Sequence, residues 1–323
     1  MKKQILLFFF VIICGFFFKN VFIKKHFVKN VSECAFEVYR FEQDFFNMEV
    51  DSFKTVFPLL KKKYPTFFTD TTINFKEEVL LNDTLNSIFD SVQILFKDES
   101  LNLSSLRKGY CNYKSYFPRD TFSVYTYLEG TFDYRYPVVY SHQRLYISLD
   151  LFLGSEHSFY NNMSDYIRYS QDVQFLPTSC FLTLAGRHIP YPTLDTFLSS
   201  IIHYAKAYFF TQKMLLDIPS HILFKCTPEK IQWCEKNEKV IWEYMIENDY
   251  LFSTSTDLID RFVSLAPFSK FGLDIDSESP GSVGVWLGLQ IINAYVKKNN
   301  VSLVELLNET DYMKILNQSG YKP

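Results

Sequence analysis

Four ionisable residues stand where chemistry could be done: Asp150, Lys206, Glu238 and Asp276. Asp150 interrupts the apolar run SLDLFLG at 148–154. A carboxylate in such company either acts as an acid, base or metal ligand or satisfies backbone donors at a strand end, and the strand-end reading leads. Glu238 falls in the middle of a helical face formed by Ile231, Cys234, Ile241 and Met245. A carboxylate on a buried face is costly unless paired, which predicts an ion pair with Lys or Arg. Lys206 belongs to HYAKA at 203–207, off the apolar stripe of its segment, and Asp276 opens DSESPGSVGVWLG. No reaction can be assigned to any of the four. If they lined one pocket, they would suggest a ligand site.

The familiar catalytic spacings are missing. H-E-x-x-H, G-x-S-x-G and G-x-x-x-x-G-K-[ST] do not occur, so metal-assisted hydrolysis, a nucleophile elbow and a phosphate loop have no local support. The six cysteines, Cys14, Cys34, Cys111, Cys180, Cys226 and Cys234, form no C-x-x-C and have no histidine at finger spacing. They read as separate buried thiols, with neither metal nor cofactor expected. A net charge of −3 offers no basic footprint for nucleic acid. The 18% aromatic content makes any one aromatic stripe ordinary core.

The elements that must position these residues can be placed along the 323-residue chain. Residues 1–23 form a signal or anchor segment, with a short basic start and an apolar run at 5–18. Two readings stand: lipidation at Cys14, although Ile13 precedes it where a lipobox has a small residue, or an uncleaved anchor. Both tether the body to a membrane on its outer side. Residues 24–323 then make one domain, helical at 50–118, with a small antiparallel sheet at 121–150 and helices again at 155–323. Residues 34–46 begin with the alternation of an edge strand. The spacing of Leu85, Ile88, Val92 and Leu95 predicts an amphipathic helix over 83–97, and a second spans 104–116. Strands follow at 121–128, 138–140 and 145–149, the last two as a hairpin. A helical stripe runs from Leu194 to Tyr208, and one helix extends from Pro228 to about Asn248. Ser279 as N-cap and Pro280 at the first position predict that the central, almost wholly buried helix starts there and ends at Lys297 and Lys298. Gly284 and Gly288, one turn apart, allow a second backbone to come close. Ser302 and Glu305 make a capping box for a last helix.

Several stretches together resemble the GldB-type gliding motility lipoproteins of Bacteroidetes: YRFEQDFF (39–46), KKYPTFF (62–68), YKSYFP (113–118), LYISLDLFLG (145–154), WCEKNEKVIWEYMIEN (233–248), APFSKF (266–271), SPGSVGVWLGLQI (279–291) and GYKP (320–323). They are collinear over nearly the whole chain. The resemblance implies a membrane-anchored envelope protein with its body in the periplasm. It would be a non-enzymatic accessory of the gliding or secretion apparatus, with other motility proteins as partners. The elements themselves predict an α+β fold, predominantly helical, and the resemblance implies an arrangement distantly like a zinc peptidase that has lost its metal motif. A hydrolase or ligand-binding relative is the alternative. Two departures matter: the poor lipobox around Cys14, and Ala205 where the family tends to carry Gly in Tyr-Gly-Lys.

Overall fold

The short strand β1 (Val38–Arg40) opens a computed structural model that describes residues 34–68, 77–97, 103–274 and 276–323. Cys14 and the anchor segment expected at 1–23 lie outside the described residues. Helices α1 (Phe41–Phe46), α2 (Phe53–Lys63), α3 (Glu77–Leu80), α4 (Asp83–Phe96) and α5 (Ser104–Tyr116) follow. Ile88, Val92 and Phe96 turn one face of α4 inward, and the Asn82 side chain caps it by accepting from Leu85 N at 3.0 Å. Phe41, Phe45, Tyr64 and Tyr125 form an aromatic cluster between α1, α2 and the sheet. Pro58 sits inside α2.

The sheet adds β2 (Ser123–Tyr127), β3 (Val138–Ser141) and β4 (Arg144–Ser148), in the order β1-β2-β4-β3. It is mixed rather than antiparallel, which corrects the sequence expectation. The β3–β4 pair is the expected hairpin, turning at His142 and Gln143 with φ of 48° and 59°. Yet β1 runs parallel to β2, and β2 parallel to β4. The hairpin places β3 on the outside, so β4 meets β2 in the same sense. The long helical passage from β1 back to β2 supplies the crossover that parallel strands require.

The second half comprises α6 (Asp165–Tyr169), α7 (Leu176–Ala185), α8 (Phe197–Met214), α9 (Ser220–Phe224), α10 (Pro228–Lys236), α11 (Glu238–Glu247), α12 (Asp257–Phe262), α13 (Val283–Asn299), α14 (Leu303–Asn308) and α15 (Tyr312–Ser319). Helices dominate, giving an α+β fold as expected. At its centre α13 is buried from Val283 through Leu289 and packs most extensively on α8. A Cβ on Gly288 would stand 2.5 Å from Ile201 O, and one on Gly284 2.8 Å from Phe262 O, so both glycines are required by close approach.

Three boundaries differ from the sequence reading. The central helix begins at Val283, not at Pro280. Ser279 is turned inward, where its Oγ accepts from Ser269 N at 3.0 Å and donates to Asp276 O at 2.7 Å. The capping acceptor comes instead from 14 residues upstream, where Ser269 Oγ accepts from Val283 N at 3.2 Å. The predicted helix 228–248 is two helices broken at Asn237, whose side chain donates to Trp233 O at 2.8 Å and so competes with the main-chain ladder. The last helix is likewise two, α14 and α15, separated at 309–311.

Candidate functional site

Each of the four residues singled out by sequence has its own partners, and none is a partner of another. Asp150 lies in the single turn after β4, fully buried. It accepts from Glu129 N at 3.0 Å, Gly130 N at 2.8 Å and Ser148 Oγ at 2.7 Å. Burial pushes its carboxyl above the usual range while these three donors oppose the rise. With Gly130 at φ 79°, the carboxylate fastens the turn after β2 to the end of β4.

Lys206, off the apolar stripe of its helix, is also completely buried. Its Nζ donates to Leu307 O at 3.3 Å and to Glu309 O, and stands 4.6 Å from the centre of the Tyr312 ring. Burial lowers its pKa to about 8, against a smaller opposing pull from Glu309. The ammonium thus caps the carbonyl end of α14, where a cation is favoured. Beside it, His203 Nδ1 lies 3.3 Å from Tyr312 Oη, and burial depresses its pKa.

Glu238 is half-buried, and among the described residues it is not paired with the Lys or Arg that was expected. Its Oε1 accepts from Tyr321 Oη at 2.7 Å. The break at Asn237 makes Glu238 the first residue of α11, so it leaves the face on which an uninterrupted helix would have placed it. Asp276 accepts from Gly272 N at 2.9 Å and Leu273 N at 3.2 Å, closing the loop ahead of α13.

Sequence reasoning missed three polar groups. Glu42, fully buried, is bonded by Arg40 Nε and accepts from Thr126 Oγ1 at 2.7 Å. Burial raises its pKa, with Arg40 as the largest opposing influence. The alternation YRFEQDFF hid it, because a charged residue within that pattern reads as solvent-facing. His188 stacks on Phe117 at 4.0 Å, lies 3.0 Å from Tyr113 Oη, and is held by burial to about 4. Asp120, beside it, pairs with Arg187 at 3.3 Å. No local spacing joins positions 113, 120 and 188.

The third group lines a cavity of about 390 Å³ between α6, the α9–α10 connection and the loop leading into α13. Tyr166, Tyr169, Phe224, Leu265 and Phe268 supply apolar wall, Lys225 and Lys230 supply positive charge, and Gly281 and Ser282 bring the start of α13 to its edge. Two of the sequence stretches interlock here. Ser269 Oγ meets Pro280 O at 2.8 Å and Gly281 O at 2.7 Å, and a Cβ on Gly281 would collide with Ala266 O. Lys230 Nζ spans the same loop, donating to Pro267 O at 2.7 Å and Ser279 O at 2.6 Å. Lys225, left-handed at φ 50° at the end of α9, is lowered to about 8 by burial, with Cys180 pulling the other way. None of Asp150, Lys206, Glu238 or Asp276 lines this cavity.

Among the described residues no three His, Cys, Asp or Glu side chains converge as metal ligands, and no helix is long and apolar enough to cross a membrane. Residues 24–323 match a protein family described as "Gliding motility protein GldB". No curated protein and no solved structure matches the chain.

Proposed function

The chain belongs to this gliding motility family, GldB, and from that membership we propose that it is an envelope-anchored, non-enzymatic accessory of the gliding or secretion apparatus. The tether is the segment 1–23, through lipidation at Cys14 or as an uncleaved anchor, and the body stands in the periplasm beside other motility proteins. The observation that supports a scaffold is what Asp150, Lys206 and Glu238 are used for. Asp150 is taken up by a turn and Lys206 by the end of α14, and Glu238 at the surface of α11 receives the chain terminus. Groups so engaged hold structure and are not poised for proton transfer or nucleophilic attack.

A deletion strain tests the proposal. Gliding or envelope assembly is lost on deletion and returns with a Lys206→Met/Glu238→Gln variant whose melting curve shows a folded protein. Failure of that folded variant to rescue makes the polar groups a working site and returns the hydrolase-like alternative.

A further inference from the structure

The cavity beside the start of α13 has walls and charges suited to one class of ligand. A volume of about 390 Å³ is in the range of small-molecule sites, and Tyr166, Tyr169, Phe224, Leu265 and Phe268 leave a peptide's amide groups little to bond with. The charge is positive and unspent. Lys225 lines the cavity, and among the described residues no hydrogen bond or ion pair holds its Nζ. Lys230 adds a second cation, though its protons are engaged by the carbonyls of Pro267, Ser277 and Ser279. The acid on the lining is Asp165, whose side chain is 96% exposed and pairs with Arg168 at 3.3 Å, so it leaves Lys225 uncompensated. Gly281 and Ser282 lead directly into the 17-residue helix α13, whose positive end adds to the same field.

We propose that this cavity binds a free single-chain amphiphile with an anionic head, a long-chain carboxylate, its chain along the aromatic wall and its head on Lys225. The carboxylate completes the unpartnered ammonium with a charge-assisted bond, and the chain removes the apolar wall from water. The site is independent of how the protein serves motility.

Photo-crosslinking tests it on the full chain held in nanodiscs of zwitterionic lipid. A diazirine-bearing long-chain carboxylate is expected to label peptides containing 166–169 and 265–268, and excess dodecanoate to suppress the labelling. The matched long-chain trimethylammonium probe should label these peptides about tenfold less, as should the carboxylate on a Lys225→Met variant, the loss expected for one charge-assisted hydrogen bond. Equal labelling by the two probes on the wild-type chain, or label confined to other regions, overturns the proposal even if the variant does not fold. Suppression by phosphatidylglycerol in the nanodisc but not by dodecanoate also overturns it, assigning the cavity to a membrane lipid.

Discussion

A charge enclosed by a fold is held by particular partners, and for Asp150 and Lys206 most of these are main-chain atoms, donors to the carboxylate and acceptors of the ammonium. Replacing Asp150 with Ala should leave Glu129 N, Gly130 N and Ser148 Oγ without their acceptor. The expected loss is about 2–4 kcal/mol, read by denaturant unfolding, since donors to a charged group lose more than neutral ones. Lys206→Met removes the donor from two carbonyls and should cost about 1–3 kcal/mol at neutral pH. It should also change the pH dependence. The folded chain holds the Lys206 proton with a pKa of about 8, the unfolded chain near about 10.4. Between those values the unfolded state binds the extra proton, so wild-type stability gains a component as pH rises through that window, and below it the burial penalty is present in full. The Met variant should lack this component, as paired urea titrations at pH 7 and pH 10 will show. A slope identical in both proteins would mean that Lys206 is not desolvated as described.

At the scale of elements, short-range rules were legible wherever both partners lay within one turn. Ser302 and Glu305 form the expected box, with Glu305 N donating to Ser302 Oγ at 3.3 Å and Ser302 N to Glu305 Oε2 at 2.9 Å. Ser302→Ala should therefore cost about 1 kcal/mol by thermal melt. The spacing of small residues was equally readable. Gly284→Leu should destabilise by about 1–3 kcal/mol through overpacking, and Gly288→Ala should be costly too, because what it meets is the Ile201 main chain rather than a side chain that can move. An unchanged melt for both would argue against the α8–α13 approach. What could not be read was whatever depended on distant partners. The start of α13 was misplaced because Ser269, 14 residues upstream, supplies the acceptor that Ser279 was expected to provide. The helix-end role of Lys206 could not be read because its carbonyl partners lie more than 100 residues away. The parallel pairing of β1 with β2 depends on a crossover through several helices, and no local pattern records it.

At the scale of the whole molecule, the body and the N-terminal segment should be separable in stability and inseparable in location. Residues Phe36–Pro323 cluster as one compact unit. Their central helix is enclosed by α8, α12 and the C-terminal helix α15. The chain end contributes to this closure. Tyr321 sets its ring edge-on to Trp242 at 5.2 Å and its hydroxyl on Glu238, which ties the GYKP terminus to α11. Because folding free energy comes from burial within the body, a protein of residues 34–323 should unfold in one cooperative transition at nearly the temperature of the full chain. The apolar run at 5–18 should matter for place alone: the full chain should sediment with membranes on fractionation and the truncated one should not. A truncated protein that stays membrane-bound would put the attachment on the body. One that melts far below the full chain would mean that the N-terminal segment packs as part of the fold.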